Sequence, residues 1–334
     1  MRTWWEKVLV LCLLLIAPTV GRAQDRPGVF TDPTNAGPDL EIQGEYLGMS
    51  HSELGEGRWG AQVTALGQKR FHLVLFSGGL PGQGGQPGDR SMTADGISGE
   101  DGTTFHLDSW HATIKQGVLT LYGQDQSQMG ALTRIERKSP TLGSAPPPGA
   151  VVLFDGNTAE AFTNGKIVMK NLLAADAASR QTFGDHLLHL EFRVPFKPEA
   201  RGQGRGNSGV YLQNRYELQI LDSFGFETGH DECGGIYSIA APSVNMSFPP
   251  LTWQTYDVDF TAARFDQEGK KQRNARVTVR HNGVVIHDDL ELSHGTPGRA
   301  PEGPLPDVLY LQGHGDPVVF RHIWVVSKGD HVPQ

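Results

Sequence analysis

From about residue 40 onward, apolar and polar residues alternate in short runs separated by Gly, Pro, Asn and Asp, and hardly any stretch of ten residues carries helical apolar spacing. The pattern predicts strands at 41–47, 59–66, 70–76, 103–107, 118–122 and 131–136, enough for a small β domain. A second series follows at 151–154, 186–194, 207–213, 217–222, 235–240, 253–261, 275–281, 284–288 and 318–326. Asn282-Gly283, between two of these, is a strong hairpin signal. Many antiparallel candidates without intervening helices, and no internal repeat, make the fold class all-β, with the second series forming a jelly-roll sandwich rather than a propeller.

The segment 206–223, GNSGVYLQNRYELQILDS, is the most informative. A three-residue loop at Asn214, Arg215 and Tyr216 pairs Gln213 with Glu217 and Tyr211 with Gln219, leaving Val210, Leu212, Leu218 and Ile220 on the opposite face. A two-residue loop would set Glu217 against Leu212, so the odd loop is preferred, with Asn214 or Arg215 at positive φ. A phenol, amides and a carboxylate on one concave face suit sugar hydroxyls, which need donors and acceptors together. The plainer alternative is the solvated face of an edge hairpin.

Ser139 to Ala150, with three consecutive prolines, reads as an extended linker with little to bury, dividing a β domain at 24–138 from a larger one at 151–328. Residues 1–23 carry Arg2 and Lys7 before an apolar run and end in Gly21-Arg22-Ala23, the pattern of a cleavable signal peptide; export to the periplasm or outside the cell is expected. Cleavage would leave Cys233 as the only thiol and no internal disulfide. A formal charge of −8 without a basic run excludes a nucleic-acid partner, and no second segment reaches membrane length. The glycine-rich stretch 77–88 lacks the Gly-Lys-Ser/Thr ending of a phosphate loop, and His51, His72, His106 and His111 have no metal-ligand spacing. Gly295 to Gly303 reads as surface turns.

Glu217, Gln219 and Asp222 stand at i, i+2 and i+5, and one bulge would bring the two carboxylates to one face, as a glycosidase requires. A retaining β-glucanase and a non-catalytic glycan-binding module are therefore both in view. His230-Asp231-Glu232-Cys233 places adjacent side chains pointing apart, which does not make a metal site, and Cys233 reads as a core residue.

Several separated motifs carry a family resemblance. They are Leu153-Phe154-Asp155-Gly156-Asn157, the run 184–225, Cys233 to Tyr237, Ala241-Pro242 with Val244-Asn245, Trp253 to Asp257, Arg276 to Val279 with His281-Asn282-Gly283, and Leu311 to Trp324. Together residues 151–328 resemble the 3-keto-disaccharide hydrolase domain family, which implies a concanavalin A-like jelly roll and a carbohydrate partner. Three positions depart from its pattern: Phe162 near a usual Trp, Gly313 before His314, and Asp316 where Asn is common. The implied chemistry is cleavage of a 3-keto-glycoside by elimination and hydration. Glu217 is the expected base, Arg321 and His314 the enolate stabilisers or acid, and Asp222 their orienting partner. Asn207, Tyr211, Gln213, Gln219 and Tyr237 are the expected sugar contacts. No cofactor is required, although a divalent ion held by carboxylates and His314 would also stabilise an enolate.

Overall fold

The computed structural model describes residues 28–51, 56–85, 91–107 and 109–329. The export signal expected at 1–23 lies outside the described residues, as does the end of the glycine-rich stretch.

The first half closes into a barrel of eight strands: β1 Gly44–Ser50, β2 Gly57–Gly67, β3 Arg70–Ser77, β4 Ser91–Gly99, β5 Gly102–Leu107, β6 Trp110–Lys115, β7 Val118–Gly123 and β8 Gln128–Ile135. Each pairs with the next, and β8 returns to β1. Inward positions carry Tyr46, Trp59, Phe71, Phe105 and Trp110, all buried, so the interior is a packed core. The hydrophobic pattern misses β4 and β6. In β4, SMTADGISG, only Ala94 is buried, so its pairing comes from β3 and β5 rather than from an apolar face of its own.

The second half is a two-sheet sandwich. Its strands are β9 Val151–Phe154, β10 Phe162–Thr163, β11 Ile167–Val168, β12 Leu172–Ala174, β13 Ala177–Phe183, β14 His186–Arg193, β15 Ser208–Leu212, β16 Tyr216–Ile220, β17 Gln254–Thr261, β18 Ala275–His281, β19 Val284–Leu292, β20 Asp307–Leu311 and β21 Val319–Ser327. One sheet runs β11-β12-β21-β14-β17-β18-β19, with β9 also on β21; the other runs β10-β13-β20-β15-β16. Leu188, Leu190 and Phe192 from the first sheet meet Val210, Leu218 and Ile220 from the second in one core. Phe162 is buried in that core, so it is not a stacking platform for a sugar. Residues 235–240, expected as a strand, fold back on themselves: Ile236 bridges both Leu218 and Ala240 and the rest is turn.

The proline-rich segment is bound rather than free. Ser139 Oγ lies 2.6 Å from Thr255 Oγ1, Thr141 Oγ1 donates to Asp257 Oδ2 at 2.6 Å, and the Gly143 amide donates to Glu191 Oε1 at 2.5 Å. Hydroxyls and a backbone amide supply these bonds, which is why proline counting reads the stretch as a spacer. The halves also meet at Thr64 Oγ1, which donates to the Phe224 carbonyl at 2.8 Å, and at Arg201, which donates to the Leu66 carbonyl at 2.7 Å.

Candidate functional site

The β15–β16 hairpin has the expected odd loop, displaced by one residue. The loop is Gln213–Arg215, so Leu212 pairs with Tyr216, Tyr211 with Glu217 and Gly209 with Gln219. Positive φ falls on Gln213 and Asn214 rather than Arg215. Shifting the loop by one moves the register by two, which preserves the faces.

Two polar rows cross the outer face of the five-stranded sheet. Glu217 and Tyr211 continue to Tyr310 of β20, while Gln219 and Gly209 continue to Gln312 and Asp176, following the strand registers and the bonds from the Gln312 amide to Gly209 O and from the Asp176 amide to Leu311 O. Glu217 is only 3% exposed. The Tyr211 hydroxyl donates to its Oε2 at 2.8 Å, and Gln312 Nε2 lies 3.4 Å from that hydroxyl. Burial pushes the Glu217 carboxyl up to about 7, against the opposing pull of these two neighbours. Burial and the adjacent Glu217 charge push the Tyr211 phenol well above its ordinary range, so it stays a donor at neutral pH.

Gly209 makes room for the acid: a Cβ there would stand 2.5 Å from Glu217 Oε1. Gly209→Ala therefore displaces the carboxylate, and we expect at least about a tenfold loss of turnover with the far-ultraviolet circular dichroism of the wild type. The weakened acidity also predicts a pH signature. Below about pH 4.5 Glu217 is protonated in both folded and unfolded chains and burial is neutral; between about pH 4.5 and 7 the unfolded chain ionises while the folded one resists, so stability falls, and above about 7 the loss is complete. Glu217→Gln should thus leave stability unchanged at pH 4 and raise it by up to about 3 kcal/mol at pH 8, measured by denaturant titration at both values.

Asn207 and Gln312 add acceptors: Asn207 Oδ1 and Gln312 Oε1 are buried and make no hydrogen bond within the protein. Unsatisfied buried acceptors on a concave polar face are what a polyhydroxyl ligand would satisfy. The Asn207 side-chain amide is oriented by Gln203 Oε1 at 2.7 Å, and Gln219 Nε2 reaches the same oxygen at 3.3 Å. Gln213 donates to Phe183 O at 2.9 Å, a structural bond at the loop. Tyr237 is half-buried; its amide donates to Glu217 O at 3.0 Å and its ring stands edge-on to His230.

The segment 295–303 proves to be part of the site. Thr296 and Ala300 amides donate to Arg215 O and Asn214 O, folding the loop over the hairpin, and Gly298 comes near the Tyr211 hydroxyl. Arg299, held by Asn214 Oδ1 at 2.7 Å, lies 3.8 Å over the Tyr310 ring, and its charge pulls the Tyr211 phenol back toward its ordinary range, against burial and Glu217. Glycine and proline punctuation hid this cation, and no sequence signal marks it.

The expected quartet is not one cluster. Asp222 is fully buried, its Oδ2 2.6 Å from Arg205 Nη2, at the contact with the barrel. Arg321 belongs to the other sheet, where it holds Glu191 at 2.5 Å and stacks on Trp253 at 4.0 Å; the sequence did not show which sheet owned the strand, and the positive φ of His322 breaks the alternation beside it. His314 is exposed between Gly313 and Gly315. Asp316, a candidate to orient it, instead bonds Lys197 at 2.5 Å and the Asn207 amide at 2.8 Å. The carboxylates and His314 expected to share a divalent ion are thus not assembled, and among the described residues no group of three His, Cys, Asp or Glu is arranged to hold one. Cys233 is buried, with Sγ 3.2 Å from the Tyr256 hydroxyl, and burial pushes its thiol up.

Comparison with known proteins gives a family. Residues 149–326 match the model of the 3-keto-alpha-glucoside-1,2-lyase-like domain. A crystal structure from Parabacteroides distasonis ATCC 8503, described as a "putative glycosyl hydrolase", is similar at 30% identity and a TM-score of 0.50, over 54% of this chain and 84% of that one. A second structure from the same organism with the same description is similar at 15% identity and a TM-score of 0.41, over 54% and 94% of the two chains. No curated protein matches the chain.

Proposed function

This chain belongs to the family of 3-keto-alpha-glucoside-1,2-lyase-like domains, and from that premise we propose that it cleaves 3-keto-glycosides by elimination followed by hydration, with Glu217 as the base. The observation that carries the reading is the buried Glu217 carboxylate, raised to about 7 and set among amide and phenol groups, with the Arg299 guanidinium over the next ring of the row. An acid of that strength is poised for proton abstraction near neutral pH.

A ketone at C3 acidifies the hydrogen on C2. Glu217 takes that proton and the C2–H pair moves into a C2–C3 enolate; the enolate then collapses, its pair forming the C1–C2 double bond as the C1–O bond breaks with its own pair leaving on oxygen. His314, exposed on the loop after β20, hands a proton to that oxygen. The Arg299 guanidinium and the Gln312 amide supply positive charge and a donor for the enolate that develops at C3. Asn207 Oδ1 and Gln312 Oε1 accept sugar hydroxyls, and Tyr211 keeps Glu217 in place. Water then adds across the double bond to give the free keto sugar. Arg321 has no part in this scheme, since Glu191 holds it on the opposite sheet.

A retaining glucanase needs two carboxylates about 5 Å apart across its cleft, and the commitment of Asp222 to Arg205 favours the lyase instead. Export through residues 1–23 would put the enzyme where glycosides arrive from outside. Matched glycosides, native and 3-oxidised, decide the matter: release of sugar from the oxidised member alone supports the reading. Equal release from both returns the glucanase, and binding without release returns the glycan-binding module.

A further inference from the structure

A groove of about 570 Å³ begins where the polar rows end, at Asp176 and Gly313. Asp176 belongs to both regions: its Oδ1 accepts from the Tyr310 hydroxyl at 2.9 Å, one residue along the row from Tyr211, and its own backbone edges the groove. The walls are aliphatic, with Val168 and Met169 from the turn between β11 and β12, Ala175 and Val318 where β12 leaves β21, and Val29 from the segment before the barrel. That segment is held in place by paired backbone bonds between Phe30 and Phe196, at 3.0 and 2.9 Å. The charged groups at the rim are largely spent: Lys197 and Asp316 bond each other, and Asp316 also takes the Asn207 amide.

We infer that this groove receives the leaving group, and that it selects a hydrophobic aglycone over a second sugar, with the N-terminal segment supplying one wall of the subsite. The inference rests on the lyase reading. A second sugar would need free donors and acceptors and an aromatic face to stack on; among the described residues no aromatic ring lines the groove, and its Lys197–Asp316 pair is already satisfied. An apolar ring gains by leaving water against valine and methionine. Asp176 ends the row that starts at Gln219 and also lines the groove, so a leaving group displaced from C1 toward Asp176 enters it. The segment ahead of the barrel then takes part in substrate choice, although it lies outside the residues that match the family.

The test compares benzyl 3-keto-glucosides with 3-keto-disaccharides, in both anomeric forms, since benzyl alcohol is no better a leaving group than a sugar hydroxyl. The expected result is kcat/KM about tenfold or more higher for the benzyl substrate, with Val29→Asp and Met169→Asp each removing most of that preference while the disaccharide stays within about twofold. Equal efficiency for both substrates, or equal loss on both in the two variants, overturns the subsite and leaves the lyase standing. Turnover of neither substrate overturns the lyase and the subsite with it.

Discussion

On the lyase reading, replacing Glu217 with glutamine should lower turnover of a 3-keto-glucoside by about 10²- to 10⁴-fold, the range expected for losing a positioned base, while the protein should melt no lower than the wild type at pH 7. The two halves of that expectation have one cause. Burying the carboxylate next to Tyr211 raises it to about 7, which makes it a usable base and costs folding energy whenever it is ionised. The amide is isosteric, accepts from the same phenol and carries no charge. The rate of the wild type should rise with pH through about 7, following Glu217 ionisation. A full rate in the variant removes Glu217 from the chemistry; a lowered melting temperature at pH 8 removes the claim that its charge is costly.

Asp222→Ala should destabilise the fold by about 3–5 kcal/mol, because it leaves a buried guanidinium without its counter-charge. Arg205 is 1% exposed, its Nη2 is 2.6 Å from Asp222, its Nη1 faces the carbonyls of Ala65, Lys197, Pro198 and Ala200 at 3.3 to 3.5 Å, the Phe226 ring lies 5.5 Å from it, and Glu232 feels its charge from farther off. Those carbonyls cannot replace a carboxylate. Since Ala65 belongs to the barrel and the others to the sandwich, calorimetry of the variant should show the single transition broadening or splitting. The double change Asp222→Leu with Arg205→Met should recover much of the loss, since an apolar pair carries no desolvation cost. At temperatures where Asp222→Ala is folded it should retain turnover; a loss of rate there with an altered pH profile would return Asp222 to the catalytic set.

How far the site could be read from residues alone follows from how local each signal is. The polar face of the hairpin was legible because alternation over a few residues separates Tyr211, Glu217 and Gln219 from Val210 and Leu218, and a register shift of two does not disturb it. Asp222 was not, since its partner Arg205 comes from a basic loop that reads equally well as solvated. Arg321 and Arg299 exchanged significance for a topological reason: strands distant in sequence decide which sheet a side chain belongs to, and a loop's docking is set by backbone bonds that leave no mark on composition. The barrel was seen as β, but its closure was not: β4 buries only Ala94 and so shows almost no hydrophobic pattern, while β6, whose Trp110, Ala112 and Ile114 do alternate, was legible but is missing from the strands expected.

Phe30 and Phe196 exchange backbone hydrogen bonds at 3.0 and 2.9 Å, and Phe196, although it follows β14 of the sandwich, packs into the barrel core with Phe30 against it. The stretch ahead of the barrel and the stretch after β14 are therefore stitched to each other and to the same core. The two halves are joined there without any covalent link, and trimming residues 28–31 would uncover an aromatic ring and two backbone polar groups that now have partners.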